Sequence, residues 1–518
     1  MRNACKSSSL ALRRSLPRWS AVFFMVLLAA ACTVGPDYRA PEPPLPDRLG
    51  PAPQQAAAAE AVSTDEALVL EQLAWWDEFD DPVLSDLIAR GVRGNLDLEI
   101  AAARVAEARA VRRAQGGRLL PTVSAAASGG RQKASANGPG PLAELAEAGL
   151  ASLENDLFTV GFDAAWELDL FGRVGRAREA AQARLEGVEE LQRGVLLLVA
   201  SEIAGAYVEL RGAELRLELA ERNLGIQEDS LQVIEGKVDS GLLSPIDAER
   251  TRAERASLVA ALAPLRAQRE AAGHRLAVLL GESPGALRGE LAPGPVPEPP
   301  AWIGAGQPQD LLSRRPDVRR AERELHAATA EVGVAIGERI PRLVIGGSRG
   351  QESADLGDLL ESASRTWSFG PRIELPIFRG GQLAAGVEAA RARLAAADAG
   401  YRSAVLLALE EVESSLVAYR ESRAAHDALD EAASASGRAA DLAEVLYDEG
   451  LRDHLVLLDA QRSQTAADDG LALARVQRAL RALDVYRALG GGWEILERWA
   501  APAPAEAVAD GAEAAVGE

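Results

Sequence analysis

The chain has 518 residues and a formal net charge of −21, with 26% charged and only 4% aromatic residues. So acidic a composition excludes nucleic acid as a natural partner, because proteins that bind it present basic surfaces. Two cysteines, Cys5 and Cys32, are too few for a disulfide framework or a thiolate metal site. The four histidines lack ligand spacing, so we predict no metal and no other cofactor.

Residues 1–31 are predicted to form a signal peptide. Arginines precede an apolar run that is too short to span a membrane and that ends in small residues. The end of this run resembles a bacterial lipobox, with Ala29 where that pattern prefers leucine. The resemblance implies that Cys32 carries lipid (palmitate) and that the protein is sorted to the outer membrane; ordinary cleavage after an Ala-x-Ala sequence is the alternative. Residues 32–65, rich in proline, are expected to form a lipid-anchored, extended tether.

A first repeat of a helix, two strands and two long helices is predicted over 66–281. The first helical pattern runs over 83–118 and is stopped by Pro121. A polar stretch, 129–140, opens the loop between the strands, and a break at Gly241 separates the long helices. The predicted strands cover about 120–128 and 158–168, and the long helices cover 175–240 and 245–280.

The long helix at 175–240 carries a heptad seam. Large aliphatic residues recur at every seventh position, with mostly small residues three positions further along. The large positions are Leu196, Ile203, Leu210, Leu217, Leu224, Leu231 and Val238. A proline-free helix of this length is a rod of roughly 100 Å, longer than a globular core requires. Taken alone, the segment fits a coiled-coil dimer.

The same order of elements recurs after a crossover segment, 282–310, rich in proline and glycine. Gly450 follows Gly241 by 209 residues, and the seam keeps its phase at that offset. The equivalent positions are Val405, Val412, Tyr419, His426, Ala433, Ala440 and Tyr447. The second repeat is predicted over 311–495, with strands at about 343–347 and 367–375 and long helices at 381–449 and 453–489. The last residues, 496–518, are predicted to be a disordered acidic tail.

The four predicted strands require closure into a barrel. Strands of roughly ten residues are long enough to cross a tilted bilayer. Open strand edges in lipid would leave backbone groups without hydrogen bonds, so the strands must close on themselves. Four strands are too few for a wide barrel. The chain is therefore expected to oligomerise.

Several motifs together resemble the TolC/OprM/NodT group of outer-membrane efflux lipoproteins over nearly the whole mature chain. They are Cys-Thr-Val-Gly-Pro-Asp-Tyr (32–38), Trp-Trp-Asp-Glu-Phe-Asp-Asp-Pro-Val-Leu (75–84), Trp-Glu-Leu-Asp-Leu-Phe-Gly (166–172), Arg-Arg-Pro-Asp-Val-Arg (314–319), Leu-Pro-Ile-Phe-Arg-Gly-Gly (375–381) and Leu-Leu-Asp-Ala-Gln-Arg (457–462). The resemblance implies a TolC-like fold, mainly α with membrane β-strands. It also implies a homotrimer in which twelve strands form one outer-membrane barrel and the helices form a periplasmic α-helical barrel.

The resemblance further implies partners and a gate. The partners are a periplasmic adaptor (membrane fusion) protein, an inner-membrane RND-type pump and outer-membrane lipid. The channel is closed near the helix turns at its periplasmic end. The implied residues are Leu455 and Asp459 as the periplasmic gate, Tyr447, Arg452 and Asp247 as the gate latch, and Gly241 and Gly450 as the helix-turn hinges. Without the resemblance, the favoured interpretation of Asp459 is a solvated carboxylate on the helix surface, paired with Arg462.

The function expected from these features is the outer-membrane duct of a tripartite efflux pump, passing small molecules such as drugs, toxic compounds or metals. One alternative keeps the fold and serves type I protein secretion. An alternative of another class is a structural coiled-coil lipoprotein of the envelope without a pore. An enzyme is not expected: the Gly-x-Ser-x-Gly match at 346–350 precedes a polar loop, whereas a nucleophile elbow needs a strand-to-helix turn.

Overall fold

The computed structural model describes residues 33–43, 45–46, 49, 74–137, 141–149, 152–304 and 308–500. The predicted signal peptide, Cys32, most of the tether beyond residue 49 and residues 501–518 lie outside the described residues. The chain divides into two compact units. The strand unit comprises the described residues up to Ala40 with Glu107–Leu185 and Arg323–Ala399, and the helix unit comprises those of Pro41–Ala106, Glu186–Glu322 and from Gly400 onwards.

Long helices and four strands make up most of the described chain. The helices are α1 (Pro82–Gly94), α2 (Leu96–Gly117), α3 (Leu142–Glu147), α4 (Arg173–Asp239), α5 (Pro245–Leu279), α6 (Pro308–Arg314), α7 (Pro316–Gly337), α8 (Gln382–Asp448), α9 (His454–Leu489) and α10 (Trp493–Ala500). The strands are β1 (Thr122–Lys133), β2 (Glu154–Leu168), β3 (Arg342–Ser353) and β4 (Arg365–Glu374), and short 3-10 turns lie at Trp75–Phe79 and Ser362–Ser364. Each of the four long helices begins and ends within two residues of its predicted bounds. The matching order of the two halves follows from the duplication seen in the sequence.

The strands form one antiparallel sheet in the order β1-β2-β3-β4. Because side chains alternate along a strand, the sheet has two distinct faces. One face is largely apolar and aromatic, with Val123, Phe162, Trp166, Trp367, Phe369 and Ile373 all exposed. The other face carries small and polar residues, including Ser124, Asp163, Ser348 and Ser368. This division is typical of a membrane β-barrel wall.

Three strands are longer than predicted, and one of them, β2, begins at Glu154 instead of residue 158. The expected loop at 129–140 starts too early, because β1 continues through Lys133 and pairs with β2 to the end. Arg131 and Lys133 form ion pairs across the strands with Asp156 and Glu154, at 2.6 Å and 3.3 Å. Likewise β3 continues to Ser353 instead of ending at residue 347. Pairing with a partner strand, which local composition does not reveal, sets both ends.

The predicted single helix at 83–118 is wrong, since Asn95 divides it into α1 and α2. The Asn95 Oδ1 accepts hydrogen bonds from two backbone N–H groups at the start of α2, at 2.9 Å and 3.3 Å. Its Nδ2 donates to the carbonyl oxygen of Leu279 at 2.8 Å. An asparagine that caps a new helix competes with continuation of the old one.

The seam residues form the core of the helix unit. Leu196, Ile203 and Leu210 are buried in a cluster that also contains Trp76 and Tyr486. Five of the seven equivalent positions of α8 are buried as well: Val405, Val412, Tyr419, Ala433 and Ala440. An 18-residue stretch of α4 is apolar enough to cross a membrane, but half of it is buried within the chain, as in a core helix.

The tail does not begin at residue 496 as predicted. Helix α10 continues to Ala500, with Leu496 buried. Trp499 packs against Trp76, their ring centroids 5.2 Å apart. Apolar residues at helical spacing fold back onto the core even though the sequence that follows them is acidic and low in complexity.

The start of the predicted tether is docked onto the strand unit. The Val34 N–H donates to the carbonyl oxygen of Phe171 at 3.1 Å. Tyr38 stacks on His326, with ring centroids 4.2 Å apart. Arg176 donates to the Asp37 carboxylate. These first residues of the tether are therefore held against the strand unit, because an aromatic ring and a carboxylate give the segment specific partners.

The Arg-Arg-Pro-Asp motif forms a buried clasp in the helix unit. The Arg315 guanidinium donates to the carbonyl oxygen of Ala488 at 2.6 Å and to the Glu411 carboxylate at 2.7 Å. It also donates to both carboxylate oxygens of Asp317, at 3.0 Å and 2.9 Å. One guanidinium thus joins the start of α7 to α8 and to the end of α9. The motif that marks the resemblance has a structural role.

Candidate functional site: the helix turns at Gly241 and Gly450

Both long hairpins turn in the same way. Gly241 and Gly450 have φ values of +73° and +70°. In each turn the glycine N–H donates to the carbonyl oxygen three residues earlier, and the N–H of the following leucine donates to the carbonyl oxygen five residues earlier, at 2.8 Å. This is the Schellman ending of a helix, which favours glycine because other residues rarely adopt the left-handed conformation. We call residues 236–247 and 445–459 together the tip turns.

The helices that follow the turns have side-chain caps. The Ser244 Oγ accepts a hydrogen bond from the Ile246 N–H at 3.3 Å, and Pro245 occupies the first helical position. The Asp453 Oδ1 accepts from the Val456 N–H at 3.2 Å. Since both ends of each turn are fixed by local hydrogen bonds, the turns hold the adjoining helices in defined positions.

Tyr447 joins three helices. Its hydroxyl oxygen accepts a hydrogen bond from the Lys237 Nζ at 3.1 Å, and the same ammonium lies 4.4 Å from the centre of the Tyr447 ring. The His454 ring meets the Tyr447 ring edge-on, with centroids 5.6 Å apart. Tyr447 of α8 is thereby connected to α4 through Lys237 and to α9 through His454.

His454 is 2% exposed and bonded to a buried threonine. Its Nε2 lies 3.0 Å from the Thr251 Oγ1, which itself donates to the carbonyl oxygen of Asp247 at 2.8 Å. Because the threonine proton is used in that second bond, the Thr251 Oγ1 accepts from the His454 Nε2–H. The His454 Nδ1 is buried and has no hydrogen-bond partner within the described chain. Burial lowers the pKa of His454 and Lys237 lowers it further, against the opposing effect of Asp247 and Asp453.

The other two predicted latch residues make no such contacts. Asp247 lies half-buried in the first turn of α5, and Arg452 is exposed in the second turn. Neither side chain forms a hydrogen bond or ion pair with any described residue of this chain. The structure thus brings Tyr447 together with Lys237 and His454, whereas Asp247 acts on His454 only through its charge and Arg452 contacts neither.

The predicted gate residues lie on one side of α9. Leu455 is 45% exposed, and Asp459, one helical turn further along, is also exposed. The interpretation of Asp459 as a partner of Arg462 is wrong, because Arg462 pairs with Glu254 at 2.6 Å. The Asp459 carboxylate has no partner among the residues that the structure describes. An apolar side chain and an unpaired carboxylate are thus both presented to the surroundings of the chain.

Sequence reasoning missed Lys237, Thr251 and His454. Lys237 lies one residue before the seam position Val238, so only the rotation of α4 relative to α8 decides that it reaches Tyr447. His454 directly follows the capping residue Asp453, and at this position of a helix a solvated side chain is as common as a buried one. No other signal in the sequence marks this cluster. Within the described ranges, no group of three or more His, Cys, Asp or Glu side chains could hold a metal ion.

Comparison with known proteins identifies relatives that form channels in the outer membrane. The profile of the family named Outer membrane efflux protein matches residues 87–282 and 307–491. Outer membrane protein OprJ of Pseudomonas aeruginosa is 32% identical over 482 residues, which cover 91% of this chain and 95% of OprJ. The solved outer-membrane channel OprN is 37% identical with a TM-score of 0.80, covering 89% of this chain and 100% of that chain. The MtrE channel of Neisseria gonorrhoeae, solved in its open state, is 29% identical with a TM-score of 0.72, covering 89% and 99%.

Proposed function

Because the chain belongs to the outer membrane efflux protein family and has the fold of TolC-like channels, we propose that it works as a homotrimer in a tripartite efflux pump. Three copies of the four-stranded sheet close a barrel of twelve strands across the outer membrane. The long helices of the three copies line a periplasmic tunnel. Small molecules pass through this duct from the periplasm to the exterior.

The two-faced sheet is the observation that carries the proposal. Its aromatic and aliphatic face suits lipid, and its small and polar face suits a water-filled lumen. In the described sheet, β1 and β4 each have a neighbouring strand on one side only. A sheet with two open edges cannot stand alone in hydrocarbon, whereas edge-to-edge closure between copies satisfies every strand.

The tip turns are the surface that we assign to a periplasmic adaptor. Leu242 and Leu451, which follow the two turn glycines, are 75% and 69% exposed. Apolar side chains so exposed at equivalent places in both repeats suit a protein partner. The sequence has no Gly-x-x-x-x-Gly-Lys loop for nucleotide binding. The inner-membrane partner that we propose, on the basis of the family, is a pump of the RND type, which supplies the energy for transport.

The gate consists of Leu455 and Asp459 from each of three copies. Three leucines around a narrow axis form an apolar constriction, and three carboxylates repel one another while attracting cations. Tyr447 holds the resting position through its contacts with Lys237 and His454. Arg452 and Asp247, which have no partner within the described chain, are available to a neighbouring copy and complete the latch there. Gly241 and Gly450 are the hinges.

Channel conductance in planar bilayers tests the gate. The double variant Leu455→Ala, Asp459→Ala should conduct severalfold more than the unaltered trimer, because it removes both the apolar constriction and the charge. Leu473→Ala, an exposed leucine of the same helix away from the turn, is the matched control and should conduct normally. A double variant that conducts no more than the unaltered protein contradicts the assignment.

Two further measurements test assembly and anchoring. Heated and unheated samples should migrate as monomer and trimer in detergent gels; identical migration as a monomer contradicts the homotrimer.

Cys32, outside the described residues, is proposed to carry the palmitate anchor. Mass spectrometry should find acyl groups on the mature amino terminus and lose them in Cys32→Ser, whereas an unmodified terminus that begins elsewhere contradicts the anchor.

A further inference from the structure

One row of the sheet combines a carboxylate with three serines. The register places Asp163 of β2 opposite Ser124 of β1 and opposite Ser348 of β3, and Ser348 opposite Ser368 of β4. The Oγ atoms of Ser348 and Ser368 are 2.7 Å apart. All four strands therefore contribute a hydroxyl or carboxylate to the same level of the small and polar face.

The Asp163 carboxylate reaches further from this face than its neighbours. The adjacent rows carry Ala126, Gly161, Gly350 and Thr366 on one side, and Thr122, Ala165, Gly346 and Gly370 on the other. A Cβ on Gly350 would lie 2.6 Å from the carbonyl oxygen of Val160, so larger residues are excluded there. Nothing beside the row projects as far as an aspartate.

Asp163 is also without a compensating charge. It is exposed and forms no hydrogen bond or ion pair with any residue that the structure describes. The nearest ionisable residues of the same face along β2, β3 and β4 are Glu167, Glu352 and Arg372, each four positions from the row, or about 13 Å along its strand. Glu167 is paired with Arg173 at 2.9 Å. Asp163 is thus an isolated negative charge in the middle of the polar face.

From this arrangement we propose that Asp163 determines charge selectivity in the barrel, forming with Ser124, Ser348 and Ser368 a girdle that favours cationic solutes over anionic ones. The inference rests on the proposed trimer, in which one aspartate and three serines per chain become three carboxylates and nine hydroxyls around the lumen. The girdle lies in the strand unit and involves none of the gate residues. It assigns to the duct a preference for positively charged cargo able to form hydrogen bonds.

The preference of such a girdle for cations should depend on the salt concentration. The carboxylates act across a water-filled lumen, so their field is screened over a Debye length of about 10 Å at 0.1 M salt and about 30 Å at 0.01 M. The preference for cations should therefore be strong in dilute salt and weak in concentrated salt. A direct contact between solute and carboxylate would depend less on salt.

The test measures the reversal potential of single trimers in planar bilayers under a potassium chloride gradient. The variants Asp163→Asn, Asp163→Glu and Asp163→Lys are compared in the unaltered chain and in the background Leu455→Ala, Asp459→Ala, which lacks the gate carboxylate. Near 0.01 M salt, Asp163→Asn should lower the cation-to-anion permeability ratio by about twofold or more. Asp163→Glu should preserve the ratio, and Asp163→Lys should shift it towards anions.

Two failures are distinguishable. An unaltered protein that forms no heat-modifiable trimer and no conducting channel contradicts the proposed function itself. Conducting trimers whose reversal potential is the same with aspartate, asparagine and lysine at position 163, in both backgrounds, overturn the girdle and leave the duct intact.

Discussion

Acidification should loosen the tip turns through His454. Its neutral ring donates from Nε2 to Thr251, and its buried Nδ1 has no acceptor in the described chain. Protonation would place an N–H and a positive charge at Nδ1, close to the Lys237 ammonium. The charged groups around the ring are Lys237 of α4, Asp247 of α5 and Asp453 beside His454 itself, and the titratable Tyr447 comes from α8.

The sign follows from the lowered pKa. The folded turn binds a proton on His454 less readily than the unfolded chain, whose histidine has a pKa of about 6.5. The free energy of opening is therefore at its full value above that pH, falls as the pH drops below it, and levels off below the folded pKa. An unsatisfied buried donor costs about 1–3 kcal/mol, which sets the size of the loss. At pH 5 an unfolded histidine with a pKa of about 6.5 limits the loss to about 2 kcal/mol, so protection against hydrogen exchange should fall by about 5- to 30-fold.

Hydrogen–deuterium exchange of the detergent-solubilised protein at pH 7.5 and pH 5 measures this effect, once rates are corrected for intrinsic exchange. Amides in the tip turns should lose protection at the lower pH, while the core around Ile203 should not. His454→Gln keeps a donor towards Thr251 but cannot titrate, so its protection should not depend on pH. His274→Gln, which alters another histidine of the helix unit, should retain the wild-type response. If His454→Gln loses protection on acidification as the unaltered protein does, the reasoning is refuted.

The turn glycines and the buried arginine give two further predictions. Gly241→Ala or Gly450→Ala should lower the stability of the turn by about 1–2 kcal/mol, because alanine disfavours the left-handed backbone conformation. The control Gly225→Ala, inside α4 with open space around it, should be neutral or stabilising. Stability is measured by exchange protection, and equal losses at all three sites would contradict the role of backbone conformation. Arg315→Met should cost about 1–3 kcal/mol, since it leaves the buried carbonyl oxygen of Ala488 and two partly exposed carboxylates without their donor. Arg266→Met, which breaks an exposed pair, should cost less than about 1 kcal/mol. Thermal unfolding that is equally affected by both arginine variants would argue against the clasp.

Helical periodicity made the long elements readable from the sequence. The heptad seam starting at Leu196, and its echo 209 residues later, already determined that two matching hairpins exist and which of their faces is buried. The sequence also predicted both turn glycines, because a helix that ends in the left-handed conformation strongly prefers glycine at that position. The motifs then identified the family, which the comparisons confirm.

Contacts between segments distant in the sequence decided the rest. Strand β1 ends at Lys133 because it pairs with β2 up to that residue. Helix α1 ends before Asn95 because the side chain of this residue caps the next helix. The partner of Tyr447 is Lys237, which the relative rotation of two helices selects. Asp163 looks like any other strand residue until the register aligns it with three serines. The sequence by itself determined the repeats, the periodic helices and the turn at each hairpin, since these depend on residues close together in the chain. Only the tertiary structure decided which side chains meet at the tip turns and across the sheet, because the phase of neighbouring helices and the register of strands are set by packing over the whole unit.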